Sequence, residues 1–261
     1  MKRIFPQSVL CAVLLPLAAP VHAASSQVTE TAGAALRVVT AGPADADGNV
    51  RAMLEIGLKD GWKTYWLDPG AAGVPPVLTI GSSPPLELSA PAPDRVDDGV
   101  TIWAGYKHPM ALTFSLPAGS GPQIVDVFLG VCEKICVPVQ AALAIDPSAD
   151  PDNPADVAAL AEAEAALPAP VRPDFQITGT RIEGDRLHVT AILPAGIADA
   201  ELFLAGHDGW AFGAPRREAA PTGTIAFSLW HDRPKAAYAP ASFLYVLKAD
   251  GQAVSGRAEI K

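Results

Sequence analysis

Val125-Asp126-Val127-Phe128-Leu129-Gly130-Val131-Cys132-Glu133-Lys134-Ile135-Cys136-Val137-Pro138-Val139-Gln140-Ala141-Ala142-Leu143-Ala144-Ile145 is the stretch on which the architecture turns. Apolar side chains fall at Val125, Val127, Leu129 and Val131, then at Val137, Val139, Ala141, Leu143 and Ile145. A period of two marks a half-buried strand. In one continuous strand the Cα atoms of Cys132 and Cys136 would lie about 13 Å apart. A disulfide needs roughly 4.4–6.8 Å. A bonded pair therefore requires a turn between them, and the two flanking alternations favour a hairpin over a helical turn. Each cysteine is out of phase with the apolar set of its own strand. Both sulfurs are expected to point away from the core.

The same alternation recurs on either side. Upstream it runs through Val50, Ala52, Leu54, Ile56 and Leu58, and again through Leu112, Phe114 and Leu116. Downstream it runs through Leu187, Val189 and Ala191, then Leu202 and Leu204, then Ile225, Phe227 and Leu229, then Phe243, Tyr245 and Leu247. Ala249-Asp250-Gly251 has the residues of a tight hairpin turn. Between the halves, Asp146 to Pro173 is rich in Ala, Asp and Pro. There Asn153 is placed to cap a helix, Pro154 suits its first turn, and Ala155 to Leu167 has high helix propensity. The expected fold is all-β: two immunoglobulin-like β-sandwich domains, 24–147 and 174–261, joined over 148–173 by a linker with a short helix.

Composition agrees with many turns and a packed core. The 261 residues include 22 Gly and 26 Pro, with 49% hydrophobic and 18% charged, which excludes disorder throughout. A formal net charge of −9 argues against nucleic acid as a partner and gives no support to a polybasic membrane anchor. Residues 1–23 read as a signal peptide. Lys2 and Arg3 precede the apolar run Val9–Ala19, and Val21-His22-Ala23 suits cleavage after Ala23. That run is too short to span a bilayer, which takes about 20 residues. The protein is expected to be exported to the periplasm, leaving Cys132 and Cys136 as its cysteines once Cys11 departs with the leader.

From spacing alone three chemistries remain open for that pair: thiol–disulfide exchange, a structural bond, and metal binding. As a staple the pair is weak, because closing a five-residue loop is worth about 2 kcal/mol. Its closeness favours exchange, since one thiolate can resolve a mixed disulfide formed by the other. Lys134 lowers a neighbouring thiol pKa and Glu133 raises it, so their charges oppose each other.

At Gly61-Trp62-Lys63-Thr64-Tyr65-Trp66-Leu67-Asp68-Pro69-Gly70-Ala71-Ala72-Gly73-Val74-Pro75, Pro91-Ala92-Pro93, Gly105-Tyr106 and Gly130-Val131-Cys132-Glu133-Lys134-Ile135-Cys136-Val137-Pro138, the chain resembles the N-terminal domain of the thiol:disulfide interchange protein DsbD, in its ScsB-like branch. The resemblance implies an immunoglobulin-like domain with Cys132 and Cys136 as the redox pair and Cys136 as the attacking thiol. It implies a membrane-embedded thiol reductase of the DsbD type as electron donor. Periplasmic thioredoxin-like or disulfide-bonded proteins are the implied acceptors. The best-known members place five residues between their cysteines, against three here, and usually continue into membrane and thioredoxin-like domains. The expectation here is a standalone form, a protein-disulfide reductase dependent on a separate donor.

Trp62, Tyr65, Trp66 and Tyr106 are candidates to shield the disulfide or to form a docking surface beside it. The bland alternative for each is packing. Gly70 and Gly73 are expected to serve backbone geometry. His108 and Met110, with the two thiols, raise copper(I) binding or delivery as an alternative function, because soft donors suit that ion. His207, Asp208, His231 and Asp232 fit no metal spacing. No cofactor is expected, and no hydrolase, phosphate-loop or paired-carboxylate signature is present.

Overall fold

Ten-residue strands at Gln123–Cys132 and Cys136–Ile145 form the expected hairpin, with Cys132 directly opposite Cys136 and Ile145 opposite Gln123. The computed structural model describes residues 24–70, 73–97, 99, 101–119, 121–206, 210–221, 223–232 and 241–260. The signal-peptide reading, and the positions of His207 and Asp208, lie outside them.

The cysteine hairpin opens one sheet of the first sandwich. Its order is Cys136–Ile145, Gln123–Cys132, Lys63–Tyr65, Ile102–Tyr106 and Asp94–Asp97, with Val77–Ile80 also paired to Gln123–Cys132. The facing sheet runs Thr29–Glu30, Ala34–Ala41, Asn49–Leu58 and Met110–Pro117. Their inner faces meet through Leu36, Leu54, Leu112, Val125, Leu129 and Leu143, all buried. These are the alternating positions of the sequence, which is why the hydrophobic effect fixes the register: a slip of one residue would turn the whole set outward.

The second sandwich repeats the design. One sheet runs Ala169–Pro170, Gln252–Ile260, Ala241–Ala249 and Glu201–Ala205. The other runs Gln176–Glu183, Arg186–Ile192 and Thr224–Asp232, the last also pairing with Ala211–Phe212 and Arg216–Glu218. Phe175, Leu187, Val189, Leu229 and Leu247 fill its core. Asp250 and Gly251 turn the Ala241–Ala249/Gln252–Ile260 hairpin with φ of 48° and 71°. Two consecutive positive φ values are what a two-residue turn matching the strand twist requires.

The helix between the sandwiches spans Pro154–Ala165 and is capped by Asn153, whose side chain accepts from the N–H groups of Ala155 and Asp156. It does not hang in a linker. Leu160 and Ala163 pack on Val39, Ala41 and Met53, on the outer face of the first sandwich. That explains why Met53, on the polar phase of its strand, is buried: the helix covers a face that alternation alone assigns to solvent. Asp156, buried in the first helical turn, accepts from Arg37 Nη2 at 2.7 Å and Ser25 Oγ at 2.6 Å. Among the described residues no helix is long and apolar enough to cross a membrane.

Candidate functional site

Cys132 and Cys136 are joined by a disulfide across the mouth of the hairpin, with Cα atoms 4.1 Å apart. The bond lies off the sandwich core. Cys132 belongs instead to a small separate cluster with Tyr65 and Trp103, against which Val96 packs. The two sulfurs differ in access. Cys132 is 1% exposed, whereas Cys136 is exposed. Ile135, between them at the tip, is 77% exposed.

Tyr65 reaches this site by register. Lys63 pairs with Cys132 and Thr64 with Val131, so Lys63 and Tyr65 share the outer face with the cysteine while Thr64 faces inward. Thr64 Oγ1 donates to the Gly130 carbonyl at 2.8 Å and pins the pairing. The Tyr65 hydroxyl lies 3.0 Å from Cys132 Sγ and 3.1 Å from Cys136 Sγ. A disulfide has no S–H, so the phenol is the donor.

Glycines make the room for that ring. A Cβ on Gly130 would come within 2.8 Å of Val74 and 3.2 Å of the Tyr65 ring. A Cβ on Gly73, at φ 134°, would come within 2.7 Å of the same ring. On Gly105 it would meet the Thr64 carbonyl oxygen at 2.2 Å. Trp103 closes the cluster from the side, its ring centroid 5.7 Å from that of Tyr65 in an edge-on arrangement at 80°. The Lys63 ammonium sits 4.4 Å from the Trp103 ring, a cation–π contact.

The other three candidate shielding residues are placed elsewhere. Trp66 is buried in the main core with its ring centroid 5.9 Å from that of Phe203. One residue along a strand reverses the side chain, so Tyr65 and Trp66 cannot share a face. The Trp62 ring lies against Gly33, where a Cβ would come within 1.9 Å of it. Tyr106 donates to the Pro91 carbonyl at 2.7 Å and packs in the sandwich core. Its phenol is pushed well above its ordinary pKa, first by burial and then by the negative charge of Asp94. His108 and Met110 line a groove of about 630 Å³ with Glu55, Ile56 and Ala163, and neither cysteine borders it. Among the described residues no group of three or more His, Cys, Asp or Glu side chains is disposed to hold a metal ion.

Sequence reasoning passed over Trp103, Val96 and Lys63. Trp103 alternates with Ile102 and Ala104 and stands two residues from Gly105, which faces Tyr65 in the sheet. Gly130 likewise stands two residues before Cys132. A glycine at i−2 from a cysteine on the outer face of a strand is the signal that something large lies over it.

Taken together, the first sandwich is an immunoglobulin-like domain that carries an unequally exposed cystine on the outer face of a sheet, covered by a tyrosine and a tryptophan. The family model described as "Thiol:disulfide interchange protein DsbD, N-terminal" matches residues 33–147, nearly all of this sandwich. The fold of nearly the whole chain is similar to the crystal structure of the N-terminal periplasmic domain of ScsB from Proteus mirabilis. The TM-score is 0.72 at 20% identity, covering 91% of this chain and 98% of that one. That likeness extends over both sandwiches. No curated protein matches the sequence.

Proposed function

We propose that the chain is a periplasmic thiol–disulfide exchange protein that passes electron pairs from a membrane-embedded reductase to periplasmic disulfide proteins. The carrying observation is the asymmetry of the cystine: an exposed Cys136 bonded to a buried Cys132, with one phenol O–H within hydrogen-bond reach of both sulfurs. The match of residues 33–147 to the DsbD N-terminal family model supports the same activity.

In the reduced protein, the Cys136 thiolate attacks one sulfur of the substrate disulfide. A substrate thiolate leaves and takes up a proton, and a mixed disulfide remains. The Cys132 thiolate then attacks Cys136 Sγ, restores the Cys132–Cys136 bond and releases the second substrate thiol. Two electrons have moved from the pair to the substrate. The membrane partner returns two electrons, and two protons from water restore both thiols. Tyr65 acts on both sulfurs, because a phenol that donates to a disulfide sulfur also donates to the thiolate formed there, and hydrogen bonding to the charged form favours it.

The test is equilibration of the purified protein against defined thiol buffers. A reduction potential within about −120 to −270 mV, the span of exchange proteins, is expected. A value below about −300 mV makes the bond a staple and removes the proposal.

A further inference from the structure

The strands that cover the disulfide turn their other faces to the second sandwich. Tyr65 points to the sulfurs, and its neighbour Trp66 points to Phe203 of the second sandwich, 5.9 Å between ring centroids at 68°. Three residues beyond Tyr65, Asp68 Oδ2 accepts from the Gly206 N–H at 2.8 Å while its Oδ1 accepts from Gly70 N–H at 2.9 Å. Across the cluster the pattern repeats. Val96 packs on the group formed by Cys132, Tyr65 and Trp103. Its neighbour Arg95 donates to the Leu202 carbonyl at 2.6 Å, with its guanidinium carbon 4.4 Å from the centroid of the Phe203 ring. Asp94 completes the seam with Lys248 at 2.7 Å, an ion pair too exposed to contribute much by itself.

Phe203 is thus gripped from two directions, by Trp66 of one covering strand and Arg95 of the other. Both charged latches are drawn out of water: burial pushes the Asp68 carboxyl up and the Arg95 guanidinium down. A charged group held away from solvent keeps its partner or loses much more than the bond, so these contacts are selective about geometry. A β-strand is stiff across its two faces. Displacing Trp66 or Arg95 therefore moves Tyr65 or Val96.

We propose that the second sandwich is the backing of the disulfide's cover. Trp66, Asp68 and Arg95 are positioning residues through which Phe203, Gly206 and Leu202 hold Tyr65 at the sulfurs and Val96 against the Tyr65–Trp103–Cys132 cluster, and so set how fast the bond is attacked. This deepens the exchange function and rests on the cystine being an exchange site. The role assigned to the second domain is regulation of that site rather than a separate binding activity.

The experiment uses the full chain and dithiothreitol as the attacking thiol. Each dithiothreitol gives up two electrons and closes to its own cyclic disulfide, leaving Cys132 and Cys136 as thiols. Three latch variants are compared with the parent: Phe203→Leu, Arg95→Met and Asp68→Ala. Leu229→Ala, in the core of the second sandwich, serves as the control for general destabilisation. The latch variants are expected to be reduced about threefold to tenfold faster, the range that one hydrogen bond commands. Their reduced forms are expected to be alkylated by iodoacetamide with a pH profile moved upward, because the thiolate loses its phenol donor. The control is expected to match the parent in both. Latch variants that match the parent in rate and pH profile, or a control that speeds up equally, overturn the inference. Should Phe203→Leu fail to fold, Asp68→Ala, on a half-buried loop, carries the same test. Exchange with a protein substrate by Cys136→Ser probes the underlying function separately, since dithiothreitol reads the cover whether or not such a substrate exists.

Discussion

Two long hairpins of the molecule are closed in different ways. The one at 241–260 turns through Asp250 and Gly251, both at positive φ, and needs no covalent help. The one at 123–145 turns through Glu133, Lys134 and Ile135 and carries a disulfide at its mouth. Both pair cleanly along their length, and both contribute core residues to a sandwich. A hairpin of this size is thus held by its strands and its apolar face. The comparison teaches that the Cys132–Cys136 bond is placed where a fold of this kind has little need of a staple, and where one sulfur faces solvent.

The sharpest way to break that comparison is Cys136→Ser. Exchange with a disulfide substrate is expected to fall to background, and retention of the parental rate would sink the mechanism. Gly130→Val comes next. It drives a side chain into Val74 and the Tyr65 ring, so unfolding free energy should drop by about 1–3 kcal/mol, the cost of overpacking, and denaturant titration measures it. Removing the bond altogether, as Cys132→Ser with Cys136→Ser, should cost no more than about 2 kcal/mol. A larger loss in calorimetry would restore the staple. Replacing Gly251 by Ala in the other hairpin should cost about 1–2 kcal/mol, because a Cβ there strains a left-handed turn.

Tyr65→Phe and Tyr106→Phe separate the two tyrosines. Tyr65→Phe keeps the ring and removes the donor, so the thiol of the reduced protein should titrate higher, read by the pH dependence of alkylation. Tyr106→Phe loses a buried hydrogen bond to Pro91, about 1 kcal/mol, and leaves alkylation unchanged. Its pH signature is distinct. The buried Tyr106 keeps its proton while the unfolded chain loses it above about pH 10. The folded state then binds more protons, so stability falls as pH rises past that point. Tyr106→Phe should flatten this decline in alkaline denaturation curves.

The strand frame was legible in the sequence because burial on one face writes a period of two into it. Val125 to Val131 and Val137 to Ile145 show this directly, and the phase of the cysteines placed their sulfurs off the core. The helix was legible from Asn153, Pro154 and the alanines after them, but not its docking, because nothing local says that Met53 and Leu160 meet. The candidate site was half legible. Cys132, Cys136 and Tyr65 were found; Trp103 and Val96 were not, because contact across three strands is a property of register. Trp66, a candidate for either shielding or packing, packs in the core. Its partner Phe203 lies far along the chain, and a tryptophan next to an active tyrosine faces the opposite way.

The glycine notch around Tyr65 has a consequence at the level of codons. Every single-base change that replaces a glycine yields either a stop or a residue with a Cβ. At Gly73, Gly105 and Gly130 that atom meets a neighbour closer than real Cβ atoms approach. The ring over the sulfurs is therefore encircled by positions with no harmless one-step substitution. In a saturation scan these three glycines should stand out as intolerant alongside the cysteines, although none of them has a side chain to offer the chemistry.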